Sequence, residues 1–136
     1  MVTYNKSSYV DIDHFIEDAK KYLRHLDSVP RRPGECLRYH MSWKGVTIED
    51  LAFRSDVSVR TINRYRKGDM RKPSVLLKIC IGMHLEPFFA WDLFAKAGFN
   101  LNSQRFFLEK YICCYLSDRS MEDVRKFVRY MKACEA

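Results

Sequence analysis

Residues 47 to 68, TIEDLAFRSDVSVRTINRYRKG, admit few folds. The stretch has the layout of two short helices joined by a tight turn. Thr47 and Ser58 are hydroxyl residues placed to cap the two segments, and Asp56-Val57 lies between them. Asp50, three residues after Thr47, makes a variant capping box. In the second segment Ile62 and Tyr65 fall on an apolar side. Arg60, Asn63, Arg64 and Lys67 follow the i, i+3, i+4, i+7 spacing of one helix face.

The chain carries a net charge of +7, and its location says more than its size. Residues 31 to 78 hold 12 Lys and Arg against 5 Asp and Glu, whereas the remaining 88 residues hold 12 of each sign. The whole excess therefore sits on the segment with the two-helix pattern. A localised basic footprint points to a polyanion; a charge serving solubility would be spread along the chain. A short helix with three cations and an amide on its exposed face has the size and charge for a DNA major groove.

The rest of the chain reads as all-α, with no strand alternation and no internal repeat. Residues 11 to 27 predict an amphipathic helix with Ile12, Phe15, Ile16, Ala19, Tyr22, Leu23 and Leu26 on one stripe. The segment SVPRRPGE is a connector, so residues 1 to 33 read as an N-terminal helical arm and linker. A helix from about Glu35 to Lys44 follows, with Gly45 as its stop and Leu37, His40 and Met41 facing inward. After the basic loop MRKP, Ser74 is the expected cap of a helix carrying Val75, Leu76, Ile79, Cys80 and Met83. Pro87 opens the next, which ends at Gly98. Two more helices are predicted at about 103 to 116 and 121 to 133, the latter capped by Ser120 and Asp123.

Residues 34 to 98 resemble the five-helix DNA-binding domain of the Cro and lambda-repressor type, also called the xenobiotic-response-element family. Thr47, Leu51-Ala52, Asp56, Val57-Ser58, Thr61-Ile62, Gly68 and Lys72-Pro73 carry the resemblance. It implies base contacts from Val59, Arg60, Asn63 and Arg64, with phosphate contacts from Lys44, Lys67, Arg71 and Lys72. It also implies double-stranded DNA as partner, a homodimer, and transcription regulation in the cytoplasm. The family often has Gln where this chain has Ile48, and Gly where it has Asp56. Asp tolerates a left-handed backbone better than most residues, so the turn is expected to survive. The C-terminal extension, 99 to 136, together with the segment FFAWDLFAKAGFNLN that leads into it, is similar to the tails of some repressor-like proteins of Gram-positive bacteria and their mobile elements. Its two helices are surplus to a five-helix core, so their stripe is expected at a dimer interface.

A different reading of the same fold is a protein-interaction module, such as an antitoxin or a phage-encoded inhibitor of a defence nuclease. RNA binding is a weaker fit, because the basic face has no interleaved aromatics. The aromatic residues between Phe88 and Tyr115 sit at helical spacing and read as core and subunit interface. No nucleophile–base pair, paired carboxylates or Gly-rich phosphate loop is placed by the sequence, so no enzyme activity and no cofactor is expected. The five cysteines, with no C-x-x-C pair, are expected reduced and mostly structural. The histidines show no zinc-finger spacing with them, and no metal is expected. No apolar run is long enough to span a membrane and no signal-peptide layout opens the chain.

Overall fold

The computed structural model describes residues 11–135 and is all-α, with eight α-helices and no strand among those residues. They are α1 (Ile12–Ser28), α2 (Pro33–Lys44), α3 (Ile48–Ser55), α4 (Val59–Arg66), α5 (Pro73–Gly82), α6 (Pro87–Lys96), α7 (Phe107–Tyr115) and α8 (Met121–Glu135). A 3-10 turn, Gln104–Phe106, leads into α7. No helix of the described residues is long and apolar enough to cross a membrane.

Helix starts follow the side chains available to hold orphan amides. Asp11, Thr47, Ser58 and Ser120 accept from the amides of Asp13, Asp50, Thr61 and Asp123 at 3.2, 3.1, 3.1 and 3.2 Å. Three other helices open on Pro33, Pro73 and Pro87. Proline suits a first turn because its missing N–H would be an orphan there anyway. This moves two boundaries from their expected places. Helix α2 begins at Pro33, two residues before Glu35. Helix α5 begins at Pro73, so Ser74 lies inside its first turn and Lys72 takes the cap position without a side-chain bond. Asp56 closes α3 in the left-handed region at φ 58°, as expected of an Asp at that turn.

Helix α5 is apolar except for Ser74 and Lys78 and forms the centre of the molecule. It packs on α3, α6, α7 and α8, while α2 packs on α4 and α6. Leu37, Leu51, Ile62, Leu76, Ile79, Phe89, Leu93 and Phe94 are fully buried, each contributing about 1.5–3 kcal/mol of hydrophobic stabilisation. Two glycines allow this closeness. A Cβ on Gly34 would meet the Arg66 carbonyl oxygen at 2.6 Å and the Gly68 nitrogen at 2.7 Å. A Cβ on Gly82 would meet Ser55 Cβ at 2.9 Å. So α2 rests directly on the end of α4, and α5 directly on α3.

The tail differs from its expected role. Leu101, Ile112, Cys113, Met121 and Val124 are buried in the same hydrophobic cluster as the first helices. The two last helices are thus not surplus to the core; α7 covers α5 and α6, and α8 covers α5. Arg125 of α8 also bonds Asp56 of the turn at 3.1 Å. Burial pushes the Cys113 thiol up to about 12 and the Cys80 thiol well above its ordinary value, so both stay protonated and act as small apolar groups.

The N-terminal helix, expected to pack on its own domain or a dimer mate, packs on the domain by one half. Its last turns pack on the domain: Tyr22 meets Phe88 and Phe89, and His25 sits among Tyr39, His40, Trp43 and Phe89. Ile12, Phe15, Ile16 and Leu23 of the expected stripe are exposed. An amphipathic stripe needs a partner surface, and the described residues supply one only to the C-terminal half of α1.

Candidate nucleic-acid interface

Helix α4 is held from behind by two side chains. Ile62 and Tyr65 are buried against the core. The Tyr65 hydroxyl donates to the Lys72 carbonyl at 3.1 Å and accepts from the Lys72 amide at 3.0 Å. These two hydrogen bonds on one phenol tie the basic loop to the helix. At the helix start, Ser58 caps the Thr61 amide and its hydroxyl also reaches the Thr61 hydroxyl at 2.9 Å.

With that side fixed, Val59, Arg60, Asn63, Arg64 and Lys67 face outward together and line one shallow surface depression of about 560 Å³. A neighbouring depression is lined by Thr61, Arg64, Tyr65, Arg71, Lys72 and Val75. Arg64 belongs to both and joins the helix face to the loop. Among the described residues, Arg60, Arg64, Lys67 and Lys72 have no acidic partner. Arg71 pairs with Asp69 at 2.9 Å, but both side chains are solvent-exposed, and such a pair is easily exchanged.

Two polar details were not legible in the sequence. Asn63 Oδ1 accepts from Arg66 at 2.9 Å, which fixes the amide and leaves its NH2 group unused by that bond. Arg66 itself is half-buried, so this cation supports the face and does not belong to it. The i, i+3 spacing of Asn63 and Arg66 was the available signal.

Lys44 is placed apart from this group. Its ammonium pairs with Glu86 and donates to the His84 carbonyl at 3.1 Å, and both partners of the ion pair are largely shielded. A phosphate contact by Lys44, expected from the resemblance, would require breaking that pair. No protein-family model, curated protein or solved structure matches this chain.

Proposed function

We propose that the chain is a sequence-specific DNA-binding regulator of transcription, built on a five-helix helix-turn-helix domain of the Cro and lambda-repressor type and acting in the cytoplasm. In this reading α3 and α4 form the helix-turn-helix pair, and α4 enters the major groove. The observation that carries the reading is the single outward face of Val59, Arg60, Asn63, Arg64 and Lys67, whose cations have no acidic partner among the described residues. Arg60 and Arg64 can each donate two bonds to guanine O6 and N7, and Asn63 suits adenine. Lys67, Arg71 and Lys72 would hold phosphates without reading sequence. Lys44 is left out of the contact set.

One small domain makes few base contacts, so the reading includes a dimer on half-sites about one helical turn apart. Phe107, Tyr111 and Tyr115 support a partner surface on the tail: they follow i, i+4, i+8 on α7, form a continuous ring ladder and are exposed. The test is direct. Full-length protein is titrated against its own promoter fragment and an unrelated fragment at several salt concentrations. Preferential, strongly salt-dependent retention of the promoter is expected. Indifference to DNA together with stable co-purification of a second protein would replace this reading with the antitoxin or nuclease-inhibitor class.

A further inference from the structure

At the seam of α2 and α6, on a side of the molecule not used above, three metal-ligating side chains converge. Cys36 and His40 stand four residues apart, on one face of α2, and Asp92 comes from α6. One ligand atom of each lies within 4.8 Å of the others. Cys36 and His40 are fully buried. One His40 nitrogen, Nδ1, is 3.0 Å from His25 Nε2. The other, Nε2, is buried with no partner among the described residues. Leaving a buried polar nitrogen unsatisfied costs about 1–3 kcal/mol, and native interiors rarely do so without an ion or water to meet it.

We propose that Cys36, His40 and Asp92 form a binding site for a divalent metal ion that prefers thiolate and imidazole, zinc foremost, with the fourth position open to water. The donor set suits zinc, which takes sulfur, imidazole nitrogen and carboxylate oxygen at about 2.0–2.3 Å. Those bond lengths require the ligand atoms to stand about 3.3–3.8 Å apart, so the triangle must contract by roughly an ångström, within reach of side-chain rotation. His25 already occupies the place of the outer partner that orients a ligating histidine. On binding, the Cys36 thiol gives its proton to solvent, and Asp92 and neutral His40 bind as they are.

Lys96 is the competitor. Its ammonium is 2.7 Å from Asp92 Oδ2 and 3.9 Å from Cys36 Sγ, so it supplies the local positive charge of the metal-free protein. Asp92 Oδ2 is also the oxygen that faces Cys36 Sγ, at 4.0 Å, so an ion bound there must displace the Lys96 ammonium from it. Metal binding then clamps α2 to α6, the two helices that also receive the end of α1.

The experiment uses full-length protein with Cys114→Ser and Cys134→Ser, which removes the two accessible thiols. Zinc bound after equilibrium dialysis is counted by mass spectrometry, and cobalt(II) replaces zinc for absorption spectra. One zinc per chain, a rise in Tm, and a sulfur-to-cobalt charge-transfer band are expected. Cys36→Ser should abolish that band, and Asp92→Asn should weaken zinc binding at least about tenfold. Lys96→Gln should tighten it. Asp92 is only half-buried, so its variant remains informative if Cys36→Ser does not fold by circular dichroism. Absence of retained zinc at micromolar concentration, or unchanged affinity in Asp92→Asn, overturns the site. A cobalt complex without the sulfur band does so too. None of these outcomes bears on DNA binding.

Discussion

The cations of α4 and its loop contrast with those of the α2–α6 end. Arg60, Arg64, Lys67 and Lys72 face solvent with no acidic partner among the described residues, whereas Lys44 and Lys96 are shielded and paired with Glu86 and Asp92. A plain count of basic residues treats all six alike. The difference shows that a count of basic residues overstates an interface. Only those cations that the fold leaves unpaired are available to a polyanion at little cost, since a paired one must first give up its partner.

The contrast makes opposite demands on variants at the two ends. At the paired end, changes should act on stability. Phe89→Ala opens a cavity beneath Tyr22, His25, His40 and Trp43 and should cost about 3–5 kcal/mol in urea unfolding. Its DNA affinity should be unchanged at temperatures where it remains folded. A smaller loss, about 1–3 kcal/mol, is expected for Lys44→Ala, which strands the shielded Glu86 carboxylate. The salt slope of DNA binding by Lys44→Ala should match that of the parent; a reduced slope would return Lys44 to the interface and erase the contrast.

At the unpaired end, the same readouts should reverse. Arg64→Ala should leave Tm unchanged and weaken specific binding by about 1–3 kcal/mol, with relaxed preference at one base pair. A gel-shift titration that finds unchanged affinity removes Arg64 as a base reader. The smallest effect is expected for Lys72→Ala. It should weaken all DNA sequences alike and lower the salt slope by about one. The Tyr65 clamp uses the Lys72 backbone and not its side chain, so the loop should keep its place in this variant.

A second pair of regions bears on the oligomer. The stripes of α1 and of α7–α8 look equivalent in sequence. In the structure Ile112, Cys113 and Val124 are core, whereas Ile12, Phe15 and Ile16 are exposed. Truncating the tail would therefore damage the core, and point changes are the cleaner probe. Tyr115→Glu, at a site 68% exposed, should leave Tm intact and shift a dimer toward monomer in light scattering. An unchanged dimer would move the interface to α1.

Much of the helical layout was readable because its causes are local. Caps at Thr47, Ser58 and Ser120, glycine stops at Gly45 and Gly98, and the proline start at Pro87 act over one turn of chain, whereas Pro33 and Pro73 were read as connector and loop. The outward grouping of Arg60, Asn63, Arg64 and Lys67 was readable for the same reason, since helical spacing alone places them on one face. Ser74 misled because proline at the preceding position outcompetes a hydroxyl cap.

What required the tertiary structure are the relations between residues far apart in the chain. The sequence by itself determined an all-α chain, the periodic faces of its helices and where its charge excess lies, because propensity, periodicity and composition need no partner. Only the fold decided which stripe found a partner surface, that Lys44 would spend its charge on Glu86, and that Asp56 would meet Arg125. It also brought Asp92 to Cys36 and His40 across 56 and 52 positions. Burial and ion pairing are properties of neighbours in space, and in this chain helix packing around α5 sets who those neighbours are.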